Sequence, residues 1–239
     1  MILNYGYELW SPTPAPNTRS HWHQKDNNLN FFLSMMFVCQ WKYLFLQLMS
    51  KNLYIIGGCN GAGKTTASYT VLPDILQCKE FVNADEIAKG LSPFNPESVA
   101  FEAGRIMLAR INELLNRDET FSIETTLATK SYFNLVRKAR QKGYHVHLIF
   151  FWLETPDLAV LRVAERVSKG GHNIPSDVIR RRYVNGIRNL FGIFMKEVDS
   201  WMIYDNSRNP RTLVARGGKS VVTEVVLGNT YNKIKEYVR

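Results

Sequence analysis

The chain has 239 residues, 45% hydrophobic and 21% charged, which excludes a disordered or collagen-like polymer and allows a sizeable core. A formal net charge of +9 suits polyanionic ligands (nucleotides, nucleotide sugars or nucleic acid) without choosing among them. Three cysteines, Cys39, Cys59 and Cys78, show neither metal-site spacing nor an even framework, which excludes a disulfide scaffold and fits a reducing, cytoplasmic setting.

The first 48 residues differ from the rest. Met1–Asn30 is rich in Pro, Asn, His and Trp and has no helical or alternating period, so it reads as disordered or loosely packed. Phe31–Leu48 is apolar and about long enough to cross a membrane, but Gln40, Lys42 and Gln47 interrupt it. A central lysine costs about 2.5–3.5 kcal/mol on insertion scales, so no stable membrane insertion is expected. A signal peptide fits poorly, because a long polar stretch precedes the run and no small-residue cleavage site follows it. Met49-Ser50-Lys51 reads as an alternative translation start.

From residue 52 the pattern alternates strand and helix. Asn52–Gly57 predicts a first strand, and Gly58, Gly63, Lys64 and Thr65 then complete the spacing G-x-x-x-x-G-K-[ST]. Glycines permit backbone angles that a side chain forbids, so the N–H groups of Gly58, Cys59, Asn60, Gly61, Ala62, Gly63, Lys64, Thr65 and Thr66 can cradle phosphates at a helix start. Lys64 has the reach for the β- and γ-phosphates, and the Thr65 hydroxyl is the candidate ligand for Mg²⁺. A nucleoside triphosphate is the expected ligand.

The next helix spans Lys64–Leu76, loosened near Pro73, and Glu80–Asn83 is a short second strand ending at Ala84-Asp85-Glu86. Asn95-Pro96-Glu97 marks a helix start, with Ala100, Ala103, Met107, Ile111 and Leu114 on its core face to about Arg117. Thr120–Glu124 is a third strand, Lys130–Gln141 a basic helix stopped by Gly143, and His145–Leu153 a strand apolar enough for burial on both faces. Thr155-Pro156-Asp157 caps a helix carrying Arg162 and Arg166. A Gly170-Gly171 loop containing His172 follows, then a helix from about Ser176 with Arg180, Arg181 and Arg182. Trp201–Tyr204 is the last sheet strand, Val214–Leu227 a hairpin turning at Gly217-Gly218, and Tyr231–Val238 a terminal helix. The alternation predicts an α/β fold: a P-loop NTPase-like parallel sheet with helices on both faces, plus a small C-terminal hairpin.

Ligands of such folds bind beyond the carboxyl ends of the strands, which here carry Gly58, Asp85, Glu124 and Glu154. Asp85 can accept a proton from an alcohol, and its position also suits a helix N-cap. Glu124 can hold an acceptor or a water on Mg²⁺, Thr126 is its polar neighbour, and Glu154 competes as a metal-side carboxylate. Arg166 with Arg180 or Arg181 flanks the glycine loop as a lid over the triphosphate, since guanidinium matches phosphate geometry. Three consecutive arginines on a helix cannot all point one way; Arg182 and Arg188 read as a solvated face.

The segments GGCNGAGKTT, FVNADEIAKGLSPFNPESVAFEAGRIML, SIETTLAT and RVAERVSKGGHNIPSDVIRRRY resemble the zeta toxin family of P-loop kinases, in particular its short stand-alone bacterial members. The resemblance covers roughly residues 50–205. It implies phosphorylation, from ATP with Mg²⁺, of the 3′-hydroxyl of the sugar in UDP-N-acetylglucosamine. It also implies Lys64 on the phosphates, Asp85 as base, Glu124 and Thr126 near the acceptor, Arg166 and Arg180 or Arg181 as lid arginines, and an antitoxin protein as partner. Cys59 stands where the family commonly has proline, and the Asp85–Glu124 spacing is shorter than in larger toxins. The domain reading is 1–48 as an atypical N-terminal extension, disordered or upstream of the native start, and 49–239 as the kinase domain. Two alternatives stay open, a polynucleotide or other small-molecule kinase and a nucleotide-binding partner without turnover. Nucleic acid is not an expected ligand, because no basic groove interleaved with aromatics is seen.

Overall fold

The computed structural model describes residues 50–74, 76–171 and 173–238. The expectations for the N-terminal extension, for Met49 and for His172 lie outside the described residues. The order is β1 (Asn52–Gly58), α1 (Lys64–Asp74), β2 (Glu80–Val82), α2 (Ala84–Leu91), a 3-10 turn (Pro96–Val99), α3 (Ala100–Asn116), β3 (Phe121–Thr125) and α4 (Tyr132–Gln141). Then come β4 (His145–Trp152), α5 (Pro156–Ser168), α6 (Ser176–Asn189), β5 (Ser200–Asp205), β6 (Thr212–Gly218), β7 (Val221–Val225) and α7 (Gly228–Glu236). After α6 the chain widens into a π-type turn at Leu190–Phe194 before a last helical turn, Met195–Glu197.

The strands form one seven-stranded sheet in the order β2-β3-β1-β4-β5-β6-β7. The first five are parallel, and β6 and β7 are antiparallel additions. β1 and β4 are near-continuous runs of apolar residues because helices cover both faces of a parallel sheet. Leu53, Ile55, Phe121, Ile123, Val146 and Leu148 are wholly buried. Leu53 sits in register with both Phe121 and Val146, so the core is built around β1. The order reverses around β1, which lies between β3 and β4, and the loops leaving these strands diverge to leave a crevice beyond their carboxyl ends.

Three local expectations change. The hairpin, which extends the main sheet, turns not at Gly217-Gly218 but at Lys219-Ser220, both with positive φ, 44° and 70°. Gly217 serves close packing instead: a Cβ there would lie 2.0 Å from the Val221 carbonyl oxygen and 2.6 Å from the Trp201 ring. The first helix ends at Asp74, just past Pro73, which cannot donate to its ladder. And α2 is capped by Asn83, whose side chain accepts the Asp85 backbone N–H, so Asp85 is not the cap but a first-turn residue.

Candidate phosphoryl-transfer site

The phosphate loop leaves β1 at Gly58. Its φ is +139°, and a Cβ would lie 2.3 Å from the Phe151 carbonyl oxygen on neighbouring β4, so only glycine fits. Gly63, at φ +76°, opens α1 with a Cβ position 2.6 Å from the Asn206 side-chain nitrogen. Between them the Ala62 N–H bonds back to the Cys59 carbonyl at 3.2 Å, curling the chain into an arch. Cys59 and Ala62 lie beneath this arch, buried. Burial pushes the Cys59 thiol up to about 11, against the lowering pull of Lys64, so it stays a neutral packing group at physiological pH.

Lys64, only 6% exposed, folds back to the Cys59 carbonyl at 3.0 Å and to Glu124 Oε1 at 3.4 Å. The second oxygen of Glu124 accepts from the Thr65 hydroxyl at 2.7 Å and from Asn83 Nδ2 at 2.9 Å. Asn83 is oriented in turn by its other amide atom, which caps α2. Residues from the ends of β2 and β3 thereby converge on the first two residues of α1. Thr65 Oγ1 and the Glu124 carboxylate are hard oxygen donors of the kind Mg²⁺ takes, with few protein ligands needed beside phosphates and water. Among the described residues no group of three or more His, Cys, Asp or Glu forms a denser metal site.

A cavity of about 360 Å³ opens over this cluster, the size of a small-ligand pocket. It is lined by Asn60, Gly61, Gly63, Lys64, Thr65 and Thr66 of the phosphate loop and α1, by Asp85, Glu86 and Lys89 of α2, by Arg162 and Arg166 of α5, and by Glu124. Asp85 is exposed into this space. A second, mostly apolar groove of about 540 Å³ runs between α3 and α4 and shares Ala84 and Ala100 with the first. Tyr132 lines it, and burial together with the nearby Asp85 charge raises its phenol pKa.

Several expected placements are corrected. Arg180 is exposed and paired with Asp157 on the surface, and Arg181 is exposed and does not line the cavity. Arg182, read as solvated, instead donates to Asn60 Oδ1 of the phosphate loop at 3.2 Å. Ile179, Tyr183, Gly186 and Ile187 form the buried face of α6, with Arg182 on the flank that meets Asn60 and Arg180 on the other flank, which meets Asp157. Glu154 is no metal-side carboxylate, since it sits half-exposed on Lys233 at 3.0 Å. Glu124 contacts Thr65 and Lys64 at the start of α1. Thr126 does not line the cavity; its hydroxyl accepts the Ala128 N–H at 3.4 Å within the loop after β3.

Sequence reasoning missed Arg162 and Asn83 as site residues. Arg162 is locked by two backbone carbonyls, of Asn206 at 2.8 Å and Ser207 at 2.9 Å. No local spacing advertises either contact; only the Asn-x-Asp string before α2 hinted at the Asn83 cap.

Residues 42–216 match the model of the zeta toxin family. The chain belongs to that family. An uncharacterized protein of Haemophilus influenzae is 28% identical over 138 residues, 58% of this chain and 96% of the relative. Among solved structures, a chain of the AvrRxo1-ORF1:AvrRxo1-ORF2 complex with sulphate ions superposes with a TM-score of 0.64 at 15% identity, over 77% of this chain and 63% of that one. This family member thus spans under two thirds of that neighbour. The same complex with ATP gives a TM-score of 0.61 at 15% identity, with the same coverage of 77% and 63%. The PezAT toxin-antitoxin system of Streptococcus pneumoniae gives 0.57 at 18% identity, over 79% of this chain and 78% of that one. These likenesses show a shared α/β fold. No helix among the described residues of this zeta toxin family member is long and apolar enough to cross a membrane.

Proposed function

We propose that this zeta toxin family member is an ATP-dependent kinase that transfers the γ-phosphoryl group to a sugar hydroxyl of a nucleotide sugar such as UDP-N-acetylglucosamine. The observation that carries the reading is one cavity lined by the phosphate loop, Asp85, Glu124, Arg162 and Arg166. Phosphoryl transfer asks the protein for positioning and for charge opposite the equatorial oxygens, more than for covalent chemistry. Loop N–H groups and Lys64 hold the β- and γ-phosphates in this scheme. Thr65 and Glu124 would hold Mg²⁺, which would supply positive charge beside the phosphates as negative charge develops. Arg166 and Arg162 face the phosphates from α5. Asp85, which lines the same cavity from α2, takes the proton from the attacking hydroxyl.

The acceptor approaches from the α2 side, where the second groove meets the first at Ala84 and Ala100. The kinase domain is taken as 49–239, acting in the cytoplasm. An antitoxin protein is the proposed partner, by analogy with the toxin-antitoxin system named for PezAT. The test incubates the protein with ATP, Mg²⁺ and UDP-N-acetylglucosamine and measures acceptor-dependent ADP release. Asp85→Asn is expected to lower turnover by about 10²-fold or more while leaving ATP affinity intact. Bound ATP with no acceptor-dependent ADP overturns the acceptor; equal turnover in Asp85→Asn overturns the base.

A further inference from the structure

We infer that Asn206 is a positioning residue for the phosphate loop, aiming the Gly63 N–H at the terminal phosphates of a bound nucleotide. The inference rests on the nucleotide-binding reading above and adds a residue that does not itself line the cavity. Asn206 follows β5 and is fixed on three sides. Its backbone N–H donates to the Trp152 carbonyl at 2.9 Å, the end of β4. Its carbonyl accepts from Arg162 Nη1 at 2.8 Å, on α5. Its side-chain Nδ2 donates to the Ala62 carbonyl at 2.8 Å, across 144 positions of sequence.

That last bond sets the orientation of one peptide plane. A trans peptide carries its C=O and the following N–H in opposite directions. Holding the Ala62 oxygen toward Asn206 therefore turns the Gly63 N–H away from it, and Gly63 lines the cavity. The space where a Gly63 Cβ would sit is filled by the same amide nitrogen, at 2.6 Å, so the loop cannot slide toward Asn206. Arg162 joins the clamp, because the guanidinium that walls the cavity is held by the carbonyls of Asn206 and Ser207. One residue thus ties the ends of β4 and β5 and Arg162 through its backbone, and the loop arch through its side chain.

The clamp acts where β- and γ-phosphates bind, so ADP should feel its loss and AMP should not. The test is calorimetric titration of the full chain and of Asn206→Ala and Asn206→Asp with ADP and with AMP, at pH 8 and pH 5.5, alongside thermal melts. ADP affinity at pH 8 should fall about tenfold in Asn206→Ala, the scale of one hydrogen bond, and further in Asn206→Asp, where a carboxylate faces the Ala62 oxygen. At pH 5.5 an aspartate with the ordinary carboxylate value stays ionised, so Asn206→Asp should not recover there and both variants should keep their loss. AMP affinity should stay near wild type, while both variants should melt a few degrees lower, because the buried Ala62 carbonyl loses its partner. If Asn206→Asp fails to fold, the contrast between ADP and AMP in Asn206→Ala decides alone. Unchanged ADP affinity in the variants, or equal losses for ADP and AMP, overturns the inference. A wild-type protein that binds no ADP overturns the nucleotide reading itself, which sets that failure apart from this one.

Discussion

Replacing Glu124 by glutamine removes one charge from a nearly closed cluster. Its carboxylate is 10% exposed and lies 3.4 Å from the ammonium of Lys64, itself 6% exposed. Thr65 and Asn83 both donate to the same oxygen, so the new side chain must keep its oxygen there. Its amide nitrogen then faces Lys64, donor against donor. Leaving one member of a buried ion pair uncompensated costs about 3 kcal/mol, the lower end for such losses. For a domain of this size that corresponds to a fall in melting temperature of about 6–12 °C. A polyphosphate supplies the missing negative charge, so the deficit should shrink when ATP is added without metal. By linkage, metal-free ATP should bind Glu124→Gln at least about tenfold more tightly than wild type. Scanning calorimetry with and without ATP in EDTA, and titration calorimetry, measure both quantities. Equal melting deficits with and without ATP, together with unchanged affinity, would refute the claim that Lys64 and Glu124 neutralise each other in the nucleotide's place.

Arg180→Ala should leave turnover near wild type and change stability by at most about 1 kcal/mol, since its partner Asp157 is an exposed surface group. Arg182→Ala should instead raise the KM for ATP by releasing Asn60, and steady-state kinetics on the two variants separates them. Tyr183→Phe should cost about 1–2 kcal/mol in urea unfolding, because the buried Leu153 carbonyl loses the 2.7 Å bond from the phenol. His147 is held below the usual histidine value by burial, then by the neighbouring His145, with Asp199 pulling the other way. It binds fewer protons folded than unfolded, so its contribution to stability is present above the unfolded value, near 6.5, and is lost as pH falls through the window beneath it. Its ring fits the neutral form, with Nε2 donating to Asn52 Oδ1 at 3.1 Å and Nδ1 accepting from Ser200 at 2.7 Å. Denaturant midpoints between pH 7 and pH 5 should therefore drop less in His147→Gln than in wild type.

Local chemistry alone determined the phosphate loop, the alternation of strands and helices, and the candidate acid at Asp85. Each rests on neighbours within a few positions: glycines where φ is positive, β-branched residues in buried strands, a Thr-Pro-Asp string where Thr155 caps α5. Tertiary structure alone decided which side chains share the cavity. Thr65 meets Glu124 across 59 positions because β1 lies beside β3, and Asn206 meets Ala62 across 144 because β4 lies between β1 and β5 in the sheet. Arg182 outranks Arg180 at the loop for a similar reason, since the core-facing stripe of α6 fixes the helix's rotation and a run of three arginines carries no mark of where that stripe falls. Spacing along a chain encodes backbone geometry, while the meeting of distant charges depends on strand order and on which face each helix buries.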